Sequence, residues 1–143
     1  MTLTRDELED FARRFWTAKQ QGDSETVRDL VDPNIVWKIV GHNAKIAKTY
    51  VGAEEYFTGL GQALANEFVP GDRRIDITAI YADEIHQTAI VCLYEEVPTK
   101  SGQTFSAEIV QIMKISAVQT LIRCDEYMDL AEVLRTFDNQ EVN

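Results

Sequence analysis

The hydrophobic period of the sequence changes near Arg73, and this change constrains the fold more than any other feature. Most of the chain before it has apolar residues at helical spacing, whereas β-branched and alternating residues dominate the long segment that follows. Short turn signals then separate β-rich runs at Arg73–Ala82, Ile85–Val97, Gln103–Ile115 and Val118–Met128. Strands joined by such short turns pair with their neighbours, so the sequence predicts an α+β fold in which helices precede an antiparallel meander.

The N-terminal segment predicts two helices. Thr4–Glu7 matches a capping box, in which the Thr and Glu side chains bond each other's backbone N–H groups. The following helix has one apolar face, formed by Leu8, Phe11, Ala12 and Phe15. Gly22 is expected to end it, because a helix terminus often needs a residue with positive φ. A second short helix is expected to end at Asp32–Pro33, since the residue before proline avoids helical angles.

The remaining elements are two short strands and two helices. Strands are expected at Ile35–Val40 and Lys45–Tyr50. A third helix is expected to begin near Gly52, and a closing helix to span Leu130–Phe137. The residues after it, 138–143, are expected to form a flexible tail, as chain ends commonly do.

The composition excludes several classes of function. The 143 residues, 45% of them hydrophobic, suit one domain (1–143) with its own core. A net charge of −10 argues against a nucleic-acid or anionic membrane partner, because both require clustered Lys and Arg. The sequence has neither a membrane-helix run nor a signal-peptide pattern, so a cytoplasmic location is expected. Cys92 and Cys124 lie inside strand-like runs, which favours buried reduced thiols over a disulfide or a metal site.

The predicted sheet is apolar on both faces in places. Ile109, Val110, Ile112 and Met113 follow one another with only Gln111 between them. A strand with this pattern needs cover on both sides of its sheet. Helices would cover one side, and we expect a second copy of the chain to cover the other, which predicts a homodimer through the sheet.

Four segments in a fixed order carry a resemblance to a known family. They are Ala18–Asp23, Asp32–Trp37, Tyr50–Phe57 and Cys124–Asp129. In this order and spacing the chain resembles the SnoaL-like branch of the nuclear transport factor 2-like (NTF2-like) superfamily. The resemblance implies a cone-shaped barrel of N-terminal helices packed on a curved antiparallel sheet that encloses a pocket. Ser116–Gln119 departs from the family, since it replaces the Asp-Gly turn usual before the last strand.

Ketosteroid isomerases belong to this superfamily, and their activity is not expected here. They use an Asp base on the first strand, with a Tyr and a protonated Asp forming the oxyanion hole. Counting along the matching segments puts these roles at Ile39, Phe15 and Gln111 in this sequence. None of the three side chains has the required chemistry.

The last strand does carry a candidate catalytic group. Limonene-epoxide-hydrolase-like proteins and SnoaL-like cyclases place a working carboxylate on the last strand, three residues before a terminal Asp. Aligning Asp129 with that terminal Asp puts Glu126 at the carboxylate position. Strand alternation places Glu126 on one face with Cys124 and Met128. Desolvation in an apolar cavity would raise the pKa of Glu126 and suit it to acid–base catalysis near neutral pH. Alternatively, Glu126 pairs with a nearby donor or points to solvent.

Other polar residues near the expected pocket carry weaker arguments. The epoxide hydrolases also use an Arg-x-Asp pair, but Leu93–Val97 contains no arginine, and the pattern favours an exposed charge at Glu95 over a second catalytic carboxylate. His42 follows the first strand and is a candidate proton-exchange group, with an exposed loop histidine as the alternative. His86 is expected on the surface. Two histidines so far apart do not form a metal site, and no metal is expected.

Aromatic and sulfur-containing side chains are the candidates for ligand contact. The candidate substrate-binding residues are Phe15, Trp16, Trp37, Tyr56, Tyr94, Cys124 and Met128. Core packing alone would also explain many of them. The leading hypothesis is a cofactor-free enzyme for a small apolar metabolite of the polyketide or terpenoid kind, catalysing isomerisation, cyclisation or dehydration through Glu126, with His42 assisting. The alternatives are a non-catalytic ligand-binding or dimerisation module and an epoxide-hydrolase-like hydrolase.

Overall fold

The computed structural model describes residues 2–140, which form several helices and one six-stranded sheet. The helices are α1 (Arg5–Gln21), α2 (Ser24–Leu30), a π-helical segment (Glu55–Leu60) that continues into α3 (Gly61–Glu67), and α4 (Leu130–Phe137). The strands are β1 (Val31–Ile39), β2 (Thr49–Val51), β3 (Arg74–Asp83), β4 (Thr88–Pro98), β5 (Thr104–Ile115) and β6 (Leu121–Met128). The predicted α+β class is confirmed, as is the closing helix.

The expected cone of helices packed on a curved sheet is confirmed; the sheet is open, and one parallel strand pair makes it mixed instead of purely antiparallel. Its strand order is β2-β1-β6-β5-β4-β3, and β3 to β6 form the predicted antiparallel meander. β1 lies beside β6 and parallel to it, so that Trp37 pairs with Cys124 and Ile39 with Glu126. The chain leaves β1 and crosses through the third helix before it begins the meander, and this crossover permits the parallel pair. The concave face and the helices enclose the core.

Helix α1 forms as its sequence predicts. The Thr4 hydroxyl accepts from the Glu7 N–H at 3.2 Å, and the Glu7 carboxylate accepts from the Thr4 N–H at 3.1 Å. Gly22 ends the helix in the left-handed region, at φ 68°. The apolar face, from Leu8 to Phe15, is fully buried against the sheet.

Replacing Thr4 by alanine should lower the free energy of unfolding by about 1 kcal/mol, because the Glu7 N–H loses its acceptor while the helix stays otherwise intact. Urea unfolding of Thr4→Ala and wild type measures the difference. Thr2→Ala is the matched control, since Thr2 is exposed and precedes the helix. Equal losses in both variants would contradict the capping role.

The third helix differs from the expected regular α-helix. Its first part is π-helical, with the Gly61 N–H bonded to the Tyr56 carbonyl, and this segment places Tyr56 in the interior. A close approach explains Gly59, because a Cβ there would lie 3.4 Å from Cδ1 of the Tyr50 ring.

Several element boundaries also differ from expectation. β1 begins at Val31 and contains Pro33, because this end of the strand is irregularly paired and does not need every N–H. Ile85 lies in the turn before β4 and is 89% exposed. The expected tail is partly anchored, since the Asp138 carboxylate accepts from the Lys45 N–H at 3.1 Å. Residues 141–143 lie outside the described part of the chain.

Across residues 2–140, no helix is long and apolar enough to cross a membrane.

Candidate functional site

An internal cavity lies between the helices and the concave face of the sheet. Its volume is about 30 Å³, and a space of this size holds about two water molecules. Aromatic and aliphatic side chains line most of it, and the ionisable groups on its wall are Lys19, Tyr56, Arg73, Glu95 and Glu126. A more open cleft of about 400 Å³ adjoins the cavity and shares Lys19 and Arg73 with it.

Glu126 lies at the centre of the sheet and faces the cavity. It sits on β6 between Ile39 of β1 and Gln111 of β5, and it is 6% exposed. Trp37 Nε1 donates to Glu126 Oε1 at 3.4 Å. Gln111 Nε2 donates to Glu126 Oε2. Two donors on neighbouring strands thus fix the orientation of the carboxyl group.

The pKa of Glu126 is raised to about 7. Burial is the largest cause, because desolvation penalises the carboxylate, and the nearby charge of Glu95 acts in the same direction. The donors on Gln111 and Trp37 and the charge of Lys19 oppose the rise and keep it moderate. At neutral pH the group is close to half protonated, so it can both accept and donate a proton.

Lys19 lies in the last turn of α1 with its ammonium group among aromatic rings. Its Nζ donates to the Tyr56 hydroxyl and lies 4.8 Å from that ring's centroid, 5.5 Å from the Phe15 ring and 5.8 Å from the Trp37 ring. The pKa of Lys19 is lowered to about 8; burial is the largest cause, the charge of Arg73 acts in the same direction, and the charges of Glu126 and Glu95 oppose it. Burial raises the pKa of Tyr56 well above its usual value.

Arg73 and Glu95 form an ion pair on the cavity wall. Arg73 Nη2 lies 2.9 Å from Glu95 Oε2. Glu95 is 3% exposed, so the expectation of an exposed charge is wrong. β4 turns every second residue inward, and Leu93, Glu95 and Val97 share that face. Arg73 makes this burial tolerable, because a buried carboxylate without a cation is strongly unfavourable.

Three buried polar atoms around Glu126 have no hydrogen-bond partner within residues 2–140. They are Trp16 Nε1, Arg73 Nε and Gln111 Oε1. Buried polar groups are nearly always hydrogen-bonded, so unpartnered ones require an explanation. Trp16 and Arg73 both line the cavity, so their unpartnered N–H groups are candidate donors to the oxygen of a ligand or of an ordered water.

Neither a protein-family model nor a curated protein sequence matches the chain. Solved structures do. An NTF2-like protein of unknown function from Burkholderia pseudomallei superposes with a TM-score of 0.77 over 91% of this chain and 96% of that one, at 14% identity. The chain has the NTF2-like fold.

Two further structures with this fold have more specific descriptions. An M. tuberculosis LEH-like epoxide hydrolase superposes with a TM-score of 0.72 at 14% identity, covering 94% of this chain and 92% of that one. TerC, co-crystallised with polyporic acid, superposes at 0.75 and 13% identity, covering 92% and 98%. Likeness at these identities concerns the NTF2-like architecture, and the chemistry has to be argued from the site.

Five of the predicted site residues line the cavity of this NTF2-like fold. They are Trp16, Trp37, Tyr56, Glu126 and Met128. The polar ends of Trp37 and Tyr56 contact Glu126 and Lys19 respectively. These placements agree with the predicted roles, which stay predictions until a ligand is tested.

The other four predicted residues lie elsewhere, and their expected roles need correction. His42 is exposed in the loop after β1 and does not line the cavity. Phe15 and Cys124 are fully buried behind the wall as core residues. Tyr94 lies on the outer face of the sheet, where its hydroxyl donates to Glu96 at 3.2 Å. On β4 the residue next to an inward-facing Glu95 must face outward.

Lys19, Arg73 and Gln111 are the polar site residues that the sequence argument did not select. A signal for Lys19 exists, because it follows Phe15 by four residues and Trp16 by three and so continues the apolar stripe of α1. A lysine on that stripe points toward the interior. Arg73 and Gln111 have no comparable signal, since only the folded sheet and its preceding loop bring them to Glu126.

The structure offers no arrangement for a resident metal within its described part, where no group of three His, Cys, Asp or Glu side chains is placed to hold an ion. Both cysteines are free. Burial raises the pKa of the Cys124 thiol well above its usual value, so this sulfur stays protonated and acts as a packing group.

Proposed function

We propose that this chain is a cofactor-free enzyme that moves a proton on a small, largely apolar organic molecule and so isomerises, cyclises or dehydrates it. The observation that carries the proposal is Glu126, a carboxyl group buried in an apolar cavity with a pKa of about 7. A general acid–base group works best when its pKa lies near the working pH. His42 is too exposed to assist, and Lys19 takes its place.

The reaction begins when the carboxylate of Glu126 takes a proton from carbon next to a substrate carbonyl. Trp37 and Gln111 hold the carboxylate at a fixed angle for this transfer. Negative charge then develops on the substrate oxygen. The ammonium of Lys19 and the free N–H groups of Trp16 and Arg73 are the available donors for that oxygen. Glu126 returns the proton at a second position.

Epoxide hydrolysis is a second candidate, because Arg73 and Glu95 provide an arginine–carboxylate pair beside Glu126. The absence of arginine from residues 93–97 argued against this chemistry in the sequence. In the fold the arginine comes from the loop before β3 instead. A hydrolase would need a water molecule between Glu126 and the epoxide carbon. The LEH-like structure supports this candidate at the level of fold alone.

Hydrogen–deuterium exchange at carbon tests the main proposal. The protein is incubated with a panel of small ketones and enones in deuterated water, and proton NMR follows the loss of the α-hydrogen signals. Catalysed exchange that depends on Glu126 supports the enzyme. Ligand binding without exchange would favour the non-catalytic binding module, and diol formation from epoxides would favour the hydrolase.

We also propose that the protein is a homodimer that pairs through the outer face of its sheet. This face exposes Val110 (39%), Ile112 (37%) and Tyr127 (46%) on adjacent strands. Cys92 and Tyr94 of β4 extend the same face. Apolar residues in a contiguous exposed group commonly mark a protein interface.

A cytoplasmic location stays a prediction from the sequence.

The double variant Val110→Glu, Ile112→Glu should be monomeric, because two buried carboxylates facing their own copies would oppose association. Sedimentation equilibrium measures the mass of the variant and of the wild type. Val118→Glu is the control, since Val118 is 80% exposed in a loop away from this face. A monomeric wild type, or a dimeric double variant, would contradict the interface.

A further inference from the structure

Lys19 is the one ionisable side chain of α1 that lines the cavity, and it lines the adjoining cleft as well. Its Nζ therefore stands where a ligand passing from the cleft would meet the inner wall. Three rings surround it, and no carboxylate within residues 2–140 forms a salt bridge with it. Its hydrogen-bond partner is the Tyr56 hydroxyl, which can donate to a neutral amine as well as accept from an ammonium.

The surroundings of Lys19 favour the neutral, nucleophilic amine. Burial and the nearby charge of Arg73 together bring the pKa of Lys19 to about 8. At pH 7.5 about a quarter of such amines are neutral, against about one in a thousand for an ordinary surface lysine. Desolvation and a second cation are the two means by which proteins activate lysine for attack on carbonyl carbon.

We propose that Lys19 forms an imine with the carbonyl carbon of a small ketone or aldehyde whose carbonyl group enters the cavity from the cleft. The inference rests on the proposed function, because the iminium acidifies the C–H bond from which Glu126 removes a proton. It adds the substrate class, a carbonyl compound, and a covalent step.

The step begins when the Lys19 lone pair forms a C–N bond and the carbonyl π electrons move to oxygen. A proton passes from nitrogen to that oxygen through Glu126, which gives a neutral carbinolamine. Protonation of its hydroxyl by Glu126 then lets the C–O bond break and water leave, while the nitrogen lone pair forms the C=N bond. Amine, carbonyl and one proton thus yield iminium and water. The Glu126 carboxylate left behind is the base for the α-proton.

The polar atoms around Lys19 fit this sequence. Trp16 lines the cavity and has an unpartnered N–H, which is a candidate donor to the carbinolamine oxygen. The Tyr56 hydroxyl holds the amine in position before attack. The small cavity favours a short-chain carbonyl compound, with any longer substituent lying in the cleft.

Reductive trapping tests the imine on the full-length wild-type protein. The protein is incubated with butanone and sodium cyanoborohydride, which reduces the imine to a stable secondary amine. Intact-mass spectrometry should show one addition equal to butanone less one oxygen atom. Peptide mapping should place it on Lys19, at least tenfold above each of the other five lysines. An even distribution over the lysines would overturn the proposal.

Two variants and a pH series sharpen the test. The butanone addition should be lost in Lys19→Met and kept in Lys48→Met. Lys48 is the matched control because its ammonium also lies over an aromatic ring, 5.1 Å from the centroid of Tyr50, but at the protein surface. The trapping rate should rise with pH through about 8, where Lys19 loses its proton. A rate that rises only above pH 10 would contradict an activated amine.

Deuterium exchange into butanone separates this inference from the proposed function. Addition at Lys19 together with exchange that needs Glu126 supports both. Addition at Lys19 with equal exchange in wild type and Glu126→Gln supports the imine and contradicts the role of Glu126. No addition at Lys19, with exchange still lost in Glu126→Gln, overturns the imine and leaves the acid–base function standing.

Discussion

Replacing Glu126 by glutamine is expected to lower the rate of carbon–hydrogen exchange at least a hundredfold. A glutamine oxygen can still accept from Trp37, and its amide N–H can donate to the unpartnered Oε1 of Gln111 once that amide turns over, so the cavity keeps its shape while it loses the group that carries the proton. General acid–base groups typically contribute a factor of about a hundred to ten thousand. The exchange assay measures the effect on any panel member that the wild type processes.

The same variant should be more stable than the wild type at alkaline pH. The pKa of Glu126 is raised to about 7 from 4.5, so the folded state binds this proton more tightly than the unfolded state. The tighter binding of this proton therefore stabilises the folded state in full below pH 4.5, and the stabilisation is lost as pH rises to 7. Above pH 7 the buried charge costs about 3 kcal/mol, which glutamine removes.

Urea unfolding at pH 5 and pH 8 measures this difference. The free energy of unfolding of Glu126→Gln should exceed that of the wild type at pH 8 and nearly match it at pH 5. Asp125→Asn is the control for both assays, because Asp125 is next in sequence but pairs with Arg123 on the outer face at 2.8 Å. A Glu126→Gln protein with normal exchange and lower stability at pH 8 would indicate a structural carboxylate instead.

Replacing Phe15 by alanine is expected to lower the free energy of unfolding by about 3–5 kcal/mol. Phe15 has no exposed surface, and its ring stacks on Trp37 at 6.2 Å and meets Trp16 at 5.5 Å. Its removal leaves a cavity in the tightest part of the core. Because a domain's whole stability is about 5–15 kcal/mol, the variant should be close to unfolding at room temperature.

Thermal and urea unfolding measure the loss, and Phe57→Ala is the matched control. Phe57 is half-buried, with its ring centroid 4.2 Å from the Arg28 guanidinium. Its truncation should therefore lower the free energy of unfolding by less than half as much as Phe15→Ala does. Phe15 was a candidate ligand contact in the sequence. A stable Phe15→Ala protein that only loses ligand affinity would restore that role and contradict the core position.

Local interactions made much of the fold predictable. The capping box of α1 and its stop at Gly22 each need only a few neighbouring residues. That Glu126 shares a face of its strand with Cys124 and Met128 was predictable as well, because strand alternation follows from the geometry of one strand; that this face is the buried one was not. The parallel contact of β1 with β6 was not, since it depends on the chain returning across more than eighty residues.

The α+β class follows from the sequence, because hydrophobic period and strand alternation are local properties, while the resemblance to NTF2-like proteins supplied the pocket and the candidate carboxylate on the last strand. Only the tertiary structure determines which groups surround Glu126. Lys19, Gln111 and the Arg73–Glu95 pair come from a helix, a neighbouring strand and a distant loop, and only their meeting desolvates them together. Their pKa values depend on this shared burial and on their mutual charges, and these pKa values determine which chemistry the cavity can perform.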